Sequence, residues 1–309
     1  MSNEAKDRAA GRRTVSGFLY VLFASLAWSV VPLGIKYLLR QELPPTTIAF
    51  ARFVFAAGAL WLVAWTRGRV RPVTRGDIPL LLMGGMGMCG NYVFYAIGLQ
   101  YTTASATNII VQNQVIALVI LSHFILGERI GPLKIVGMLF ALTGIGVVFL
   151  RGGAVGALVD PNALLGNAII FLAGLSWVLY GLAQKLLSRR EISNPHALAW
   201  IFTIAGAISL VPAAPRLSVH GPLTPVAFVW LFVIGVISTA LGYLLLARAF
   251  DKLSASTVSV VTCMLPILTL VMARIFLNEL LTPSIVLGAL FVVAGILIIG
   301  RDEATSQAG

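Results

Sequence analysis

An all-α polytopic membrane protein, with ten transmembrane helices as two inverted five-helix repeats, is the fold class this sequence predicts. Three observations predict it. Of 309 residues, 59% are hydrophobic and only 11% charged, with a mean hydropathy of +0.95. A soluble domain of that length cannot keep so much apolar surface from water, whereas lipid-facing helices require it. The apolar residues also gather in ten runs of roughly 20 residues, the length that crosses a bilayer core as a helix. Finally, the chain repeats itself at an offset of 151 (128 to 279, 92 to 243). Glu128, Gly84, Tyr92, Ala104-Ser105, Gly137 and Gly144 recur as Glu279, Gly235, Tyr243, Ala255-Ser256, Gly288 and Gly295. At nearly the same offset, Trp28 and Lys36 recur as Trp177 and Lys185. The short alternating segments of a membrane β-barrel are absent.

The elements follow in order. Residues 1–16 are polar and basic and are expected as a cytoplasmic tail. The run at 17–39 has no small-residue cleavage site behind it, so it is expected as an uncleaved first helix rather than a signal peptide. Spans follow at 46–66, 78–99, 104–126 and 132–150, closing a first repeat over 17–151. A loop with Gly152, Gly153, Asp160 and Pro161 leads to a second repeat over 164–300, with spans at 164–187, 195–213, 226–247, 255–277 and 283–300. Residues 301–309 are expected as a second cytoplasmic tail. Gly84, Gly85, Gly87 and Gly90 in the third span, and Gly137, Gly144, Gly288 and Gly295 in the fifth and tenth, mark close helix approaches.

The basic residues orient the chain. With the N-terminus inside, 16 of the 22 Lys and Arg fall on the cytoplasmic side and 5 on the other, leaving Arg52 inside a span. That distribution obeys the positive-inside rule and explains the net charge of +11 without a nucleic-acid partner. Five spans per repeat is an odd number, so the second repeat enters the membrane inverted relative to the first. Inverted repeats supply two related conformations by exchange of roles, a route to alternating access. The localisation expected is a multi-pass protein of the cell inner membrane with both termini cytoplasmic.

Polar residues inside the spans are few and point to function. Asn108 and Gln112 are four apart in the fourth span, which places them on one helix face; Asn91 and Tyr95 have the same spacing in the third. Trp177, Tyr180 and Gln184 follow at helical spacing in the sixth, with Trp28 in the first and Tyr243 in the eighth. The counterparts of Asn108 and Gln112 are Ser259 and Cys263, so the amide face belongs to the first half alone. Two roles are open to it: lining a polar cavity, or interhelical hydrogen bonding. The tryptophans and tyrosines form either an aromatic wall for a substrate or an interfacial belt.

Arg52 is the one charge well inside a span, roughly 10 Å past Pro45 along the helix at 1.5 Å per residue. A guanidinium at that depth grips a substrate carboxylate or phosphate, or it bonds helix carbonyls or snorkels to the surface. Its counterpart is Phe202. No Asp or Glu lies mid-membrane, so a buried proton-carrying carboxylate is not expected. His123, His196 and His220 are widely spaced, and Cys89 and Cys263 lie in separate apolar runs, so neither a metal cluster, a catalytic set nor a disulfide framework is expected.

Taken in order, Leu26-Ala27-Trp28 with Lys36, Pro45 leading to Arg52, Ala104-Ser105-Ala106, Gly127-Glu128-Arg129 and the Gly137/Gly144 helix resemble the drug/metabolite transporter superfamily. The second-half partners are Ser176-Trp177 with Lys185, Pro195, Ala255-Ser256, Asn278-Glu279 and Gly288/Gly295. The resemblance is to the two-repeat branch with paired EamA-type domains and covers about residues 17–300. It implies a ten-helix basket with a central cavity lined by helices 1, 3, 4, 6, 8 and 9. Members export amino acids and related metabolites, the YddG-type aromatic amino acid exporters among them; others carry nucleotide sugars or triose phosphates.

The expected function is therefore export of small organic metabolites, amino acids including aromatic ones, by a monomer embedded in the bilayer and without a cofactor. A multidrug, cation or other metabolite carrier is the alternative within the superfamily. A membrane enzyme or a non-transporting subunit is the alternative outside it, but no nucleophile–base pair and no soluble output domain supports either.

Overall fold

A computed structural model describes residues 3–66, 73–126, 131–151, 161–188, 190, 192, 194–217, 224–250, 252 and 264–308. The described chain is helical: α1 (Asn3–Ser29), α2 (Val31–Arg40), α3 (Pro45–Thr66), α4 (Ile78–Gly98), α5 (Ala104–Ile110), α6 (Asn113–Leu126) and α7 (Pro132–Arg151). After the connecting loop come α8 (Pro161–Ser188), α9 (Asn194–Leu217), α10 (Pro225–Phe232), a π-helical segment (Val233–Leu241), α11 (Gly242–Phe250), α12 (Met264–Leu277) and α13 (Pro283–Ala308).

Among the described residues, six helical stretches are long and apolar enough to cross a membrane: Val15–Arg40, Pro45–Thr66, Ile78–Gly98, Pro161–Gln184, Pro195–Leu217 and Pro225–Ala249. Four shorter apolar stretches, Ile116–Ile125, Ile135–Val148, Leu265–Leu277 and Pro283–Ile298, fall at the fourth, fifth, ninth and tenth predicted runs. Their outer faces carry Phe124, Val211, Ile275 and Trp65 at 62–79% exposure, a surface that only lipid can satisfy.

Two expectations change. The first span is not one helix: it breaks at Val30, because Pro32 has no N–H to return to the Trp28 carbonyl. The fourth span breaks at Val111–Gln112, so Asn108 and Gln112 do not share one continuous helix face. At the two ends, α1 begins at Asn3 and α13 runs to Ala308, so the described part of each expected cytoplasmic tail is helical. Glu128, Ala255, Ser256 and Cys263, singled out by the repeat, lie outside the described residues.

The two halves pack through antiparallel helix pairs. In α4 and α8, Gly84 meets Ala183, Gly87 meets Ser176 and Tyr180, and Gly98 meets Gly166 and Ile170. Gly87 is required there: a Cβ would lie 2.7 Å from the Ser176 carbonyl and the Tyr180 nitrogen. In α7 and α13, Gly144 lies on Gly288 and Gly295 on Gly137 and Ala141. Phe53 and Trp61 of α3 meet Gly206 and Thr203 of α9, while Trp28 and Val21 of α1 meet Gly242 and Ala249 of α11. Lipid tails are as apolar as leucine, so backbone contact and interhelical hydrogen bonds hold these pairs.

The π-helical segment is the main irregularity. Widening the turn leaves the Ile234 carbonyl to accept from the Thr239 hydroxyl at 2.7 Å, five residues on. Gly235 within it lets the Arg52 carbonyl and the Phe55 side chain of α3 approach closely. Such segments are rare and concentrate at functional sites.

Candidate functional site

Arg52, 6% exposed, projects from α3 across the boundary between the halves onto the π-helical segment. Its single Nε–H is shared between the Thr239 hydroxyl oxygen, 2.8 Å away, and the Ile234 carbonyl, 3.2 Å away. Its guanidinium carbon stands 3.9 Å from the centre of the Tyr92 ring. A charged arginine inside a span costs at least ~2.5–3.5 kcal/mol. Hydrogen bonds from a charged donor return about 1.5–3 kcal/mol each, and a desolvated cation–π contact about 2 kcal/mol. One of the Nε acceptors is thus a main-chain carbonyl inside the π-helical segment. No described residue accepts a hydrogen bond from Nη1 or Nη2.

Around Arg52 the aromatic side chains form one connected cluster. Tyr92 stacks on Phe53 with centroids 4.8 Å apart and 11° between planes, and both touch Phe202. Phe202 meets Tyr243 edge-on at 5.7 Å. Tyr243 also takes Trp28 at 5.4 Å and Tyr180 at 5.6 Å, and accepts a hydrogen bond from the Trp177 indole at 3.1 Å. Trp28 and Trp177, equivalent residues of the two repeats, therefore converge on one tyrosine. Edge-to-face pairs of this kind contribute about 0.5–1.5 kcal/mol beyond their buried area.

The amides divide differently. Asn91 donates to the Ala173 carbonyl at 2.8 Å, tying α4 to α8, and Asn108 donates to the Thr269 hydroxyl at 3.0 Å, tying α5 to α12. These two side chains make the interhelical bonds that were open from sequence. Gln112, 4% exposed at the α5–α6 break, has no side-chain hydrogen bond to a described residue. Tyr95 packs in the other core cluster, with Ile35, Ile48 and Ile109, away from the aromatic wall. Gln184 is half-buried, one turn past Tyr180 on α8.

A polar knot lies at the end of the molecule where α2 finishes and α5 starts. Glu279 accepts from the Ala104 and Ser105 backbone nitrogens at 2.8 and 3.1 Å and from the Ser105 hydroxyl at 2.9 Å. Lys36 Nζ stands 3.6 Å from Oε1, the oxygen that also accepts from Ala104. Asn278, with φ 55°, turns the chain after α12 so that Glu279 faces the first half. The matching Glu128 and Lys185 side chains lie outside what is described.

Sequence reasoning passed over Tyr92, Phe53, Phe202 and Thr239 as site residues. Tyr92 had a signal, because it is the repeat mate of Tyr243. Thr239 had a subtler one: its mate is Met88, so it is an unmatched polar residue in an apolar run, as Arg52 is. Trp200 of α9 pairs with Trp61 at 5.2 Å and donates to His196. Among the described residues no three His, Cys, Asp or Glu gather as metal ligands.

A sequence profile of the EamA-like transporter family matches residues 15–150 and again 164–301. The chain is 30% identical over 296 residues to the inner membrane transporter YhbE of Escherichia coli (strain K12), itself uncharacterised, covering 90% of this chain and 89% of that one. An uncharacterised transporter of Haemophilus influenzae is 27% identical, with 84% of this chain and 83% of that one covered. The transporter YoaV of Bacillus subtilis is 24% identical over 92% of this chain and 96% of its own. One crystal structure superposes with a TM-score of 0.67 over 95% of this chain and 99% of that chain, at 16% identity, a likeness of fold alone.

Proposed function

The chain belongs to the EamA-like transporter family, a multi-pass inner-membrane transporter, and on that premise we propose that it exports amino acids, including aromatic ones, by alternating access. Two inverted five-helix repeats with cytoplasmic termini would exchange roles between inward and outward states. The antiparallel pairing of equivalent helices, α3 with α9 and α7 with α13, supports that reading. The functional unit proposed is a monomer.

One observation carries the substrate class: a buried arginine whose Nη groups bond to no described residue, set into an aromatic cluster. A zwitterion would place its carboxylate on Arg52 and its side chain among Tyr92, Phe202, Tyr243, Trp28 and Trp177. Gln112, Asn91, Asn108, Tyr95, Tyr180 and Gln184 remain the sequence-derived candidates for the rest of the path, with Gln112 the amide best placed to meet an ammonium. An organic cation would gain from the same aromatic faces but meet the Arg52 charge, which disfavours the multidrug reading. A polyanion would need more than one buried cation.

Purified protein in liposomes should move labelled L-phenylalanine or L-leucine down a gradient. A panel of amino acids, sugars and quaternary ammonium ions tests the substrate class. Flux of the cations with none of the amino acids would sink the proposal.

A further inference from the structure

Thr239 stands at the centre of the Arg52 contacts, and its hydroxyl is fully used. It donates to the Ile234 carbonyl at 2.7 Å, accepts from Arg52 Nε at 2.8 Å and receives the Tyr92 hydroxyl at 3.4 Å. A hydroxyl has one proton to give and two lone pairs, so each capacity is assigned. Thr239 is 0% exposed and held at the widened turn that supplies the second acceptor for the same Nε–H.

We propose that Thr239 is the positioning residue that presets Arg52 as an end-on carboxylate clamp and so sets the cargo preference for a carboxylate. This rests on the transport reading above. Nε–H is pinned on one edge and the ring of Tyr92 covers one face, so the guanidinium keeps only its Nη1/Nη2 end for a ligand. Two parallel N–H donors at that end match the two oxygens of a carboxylate. An arginine fixed before the cargo arrives loses little rotamer freedom on binding, which is where preorganisation raises affinity.

The specialisation is confined to one place. Arg52 faces the π-helical segment, while the equivalent α4 is an ordinary α-helix with Met88 where Thr239 would be, and Phe202 stands where Arg52 would be. The charge and the backbone irregularity that holds it therefore occur together, in one of the two related half-sites.

The test uses the full chain in proteoliposomes and two solutes that differ by one carboxylate: L-phenylalanine and phenethylamine. Wild-type protein should prefer L-phenylalanine. Thr239→Val should raise the KM for L-phenylalanine about tenfold, the scale of one lost hydrogen bond to a charged group, while leaving phenethylamine unchanged. Thr239→Ser should restore the wild-type preference. If Thr239→Val fails to fold, Thr239→Cys, with similar volume and a weaker acceptor, carries the same expectation. Equal losses for both solutes, or no loss for either, would overturn the positioning role. Arg52→Gln, which removes the charge, separates the two ideas: retained preference in Arg52→Gln defeats the carboxylate reading itself. Lost preference in Arg52→Gln together with a Thr239→Val protein that keeps the wild-type preference defeats only the role of Thr239. Wild-type protein that moves L-phenylalanine no better than phenethylamine defeats both.

Discussion

Arg52 and Phe202 occupy matching positions of the two repeats, and both pack on Tyr92: the guanidinium 3.9 Å from its ring centre, the phenyl ring 6.1 Å away centroid to centroid. Tyr92 is in turn the repeat mate of Tyr243, which Phe202 also touches. Duplication thus left a shared aromatic frame, and one exchange, arginine against phenylalanine, made it polar on one side. An aromatic ring under the charge also limits where that charge can go.

The Tyr92 contact gives a first prediction. Tyr92→Leu removes the cation–π partner and the stack on Phe53, worth together about 1–3 kcal/mol. Amino acid affinity in flux measurements should fall by about tenfold or more, whereas Tyr92→Phe, which keeps the ring, should lose far less.

The amides should separate into glue and site. Asn91→Ala and Asn108→Ala each remove an interhelical hydrogen bond, worth about 0.6–2 kcal/mol in a membrane, and should lower the thermal midpoint in detergent. Gln112→Ala removes no such bond to a described residue. It should leave the midpoint unchanged and reduce flux. A destabilised Gln112→Ala protein with normal flux would reverse that assignment.

Glu279 should be worth more than Lys36. Glu279→Ala strips the acceptors from the Ala104 and Ser105 nitrogens, a loss of about 1–2 kcal/mol by analogy with N-cap removal. Lys36 stands 3.6 Å from Oε1 while Glu279 keeps three hydrogen bonds from Ala104 and Ser105, so Lys36→Ala should cost less than Glu279→Ala. Tryptophan-monitored thermal unfolding of the two variants checks the order.

Glycine positions should differ as sharply. Gly87→Ala forces a Cβ against two backbone atoms 2.7 Å away and should push α4 off α8, costing about 1–3 kcal/mol. Gly58 has nothing within 4 Å of an added Cβ. Gly58→Ala should therefore be neutral or stabilise α3 by about 0.5–1 kcal/mol.

How much of this was legible beforehand depends on the kind of signal. Spanning runs are read from composition, and the repeat located both halves of the aromatic cluster through Trp28, Trp177 and Tyr243. Helix breaks were harder. Pro32 announces the first one, but nothing apolar or polar in Ile109–Gln112 announces the second, because a backbone turn inside protein leaves no compositional trace. Periodicity then misassigned Asn108 and Gln112 to one face. The π-helical segment was also invisible: its sequence, Val-Ile-Gly-Val-Ile-Ser-Thr-Ala-Leu, reads as an ordinary apolar helix. Its hydrogen bonds to Arg52 reach back 182 and 187 residues, beyond any local pattern. Partners of Asn91 and Asn108 lie 82 and 161 residues away, beyond any local pattern.

We propose that Arg52 binds the carboxylate of an amino acid cargo and that transport needs no proton gradient. Counterflow of labelled L-phenylalanine in proteoliposomes at equal pH on both sides, with wild-type and Arg52→Ala protein, tests both. Saturable exchange by the wild type that Arg52→Ala loses, while Arg52→Ala still elutes as a folded species, is the result predicted. Wild-type exchange that appears only with an imposed pH gradient, or an Arg52→Ala protein that exchanges at the wild-type rate, would contradict it.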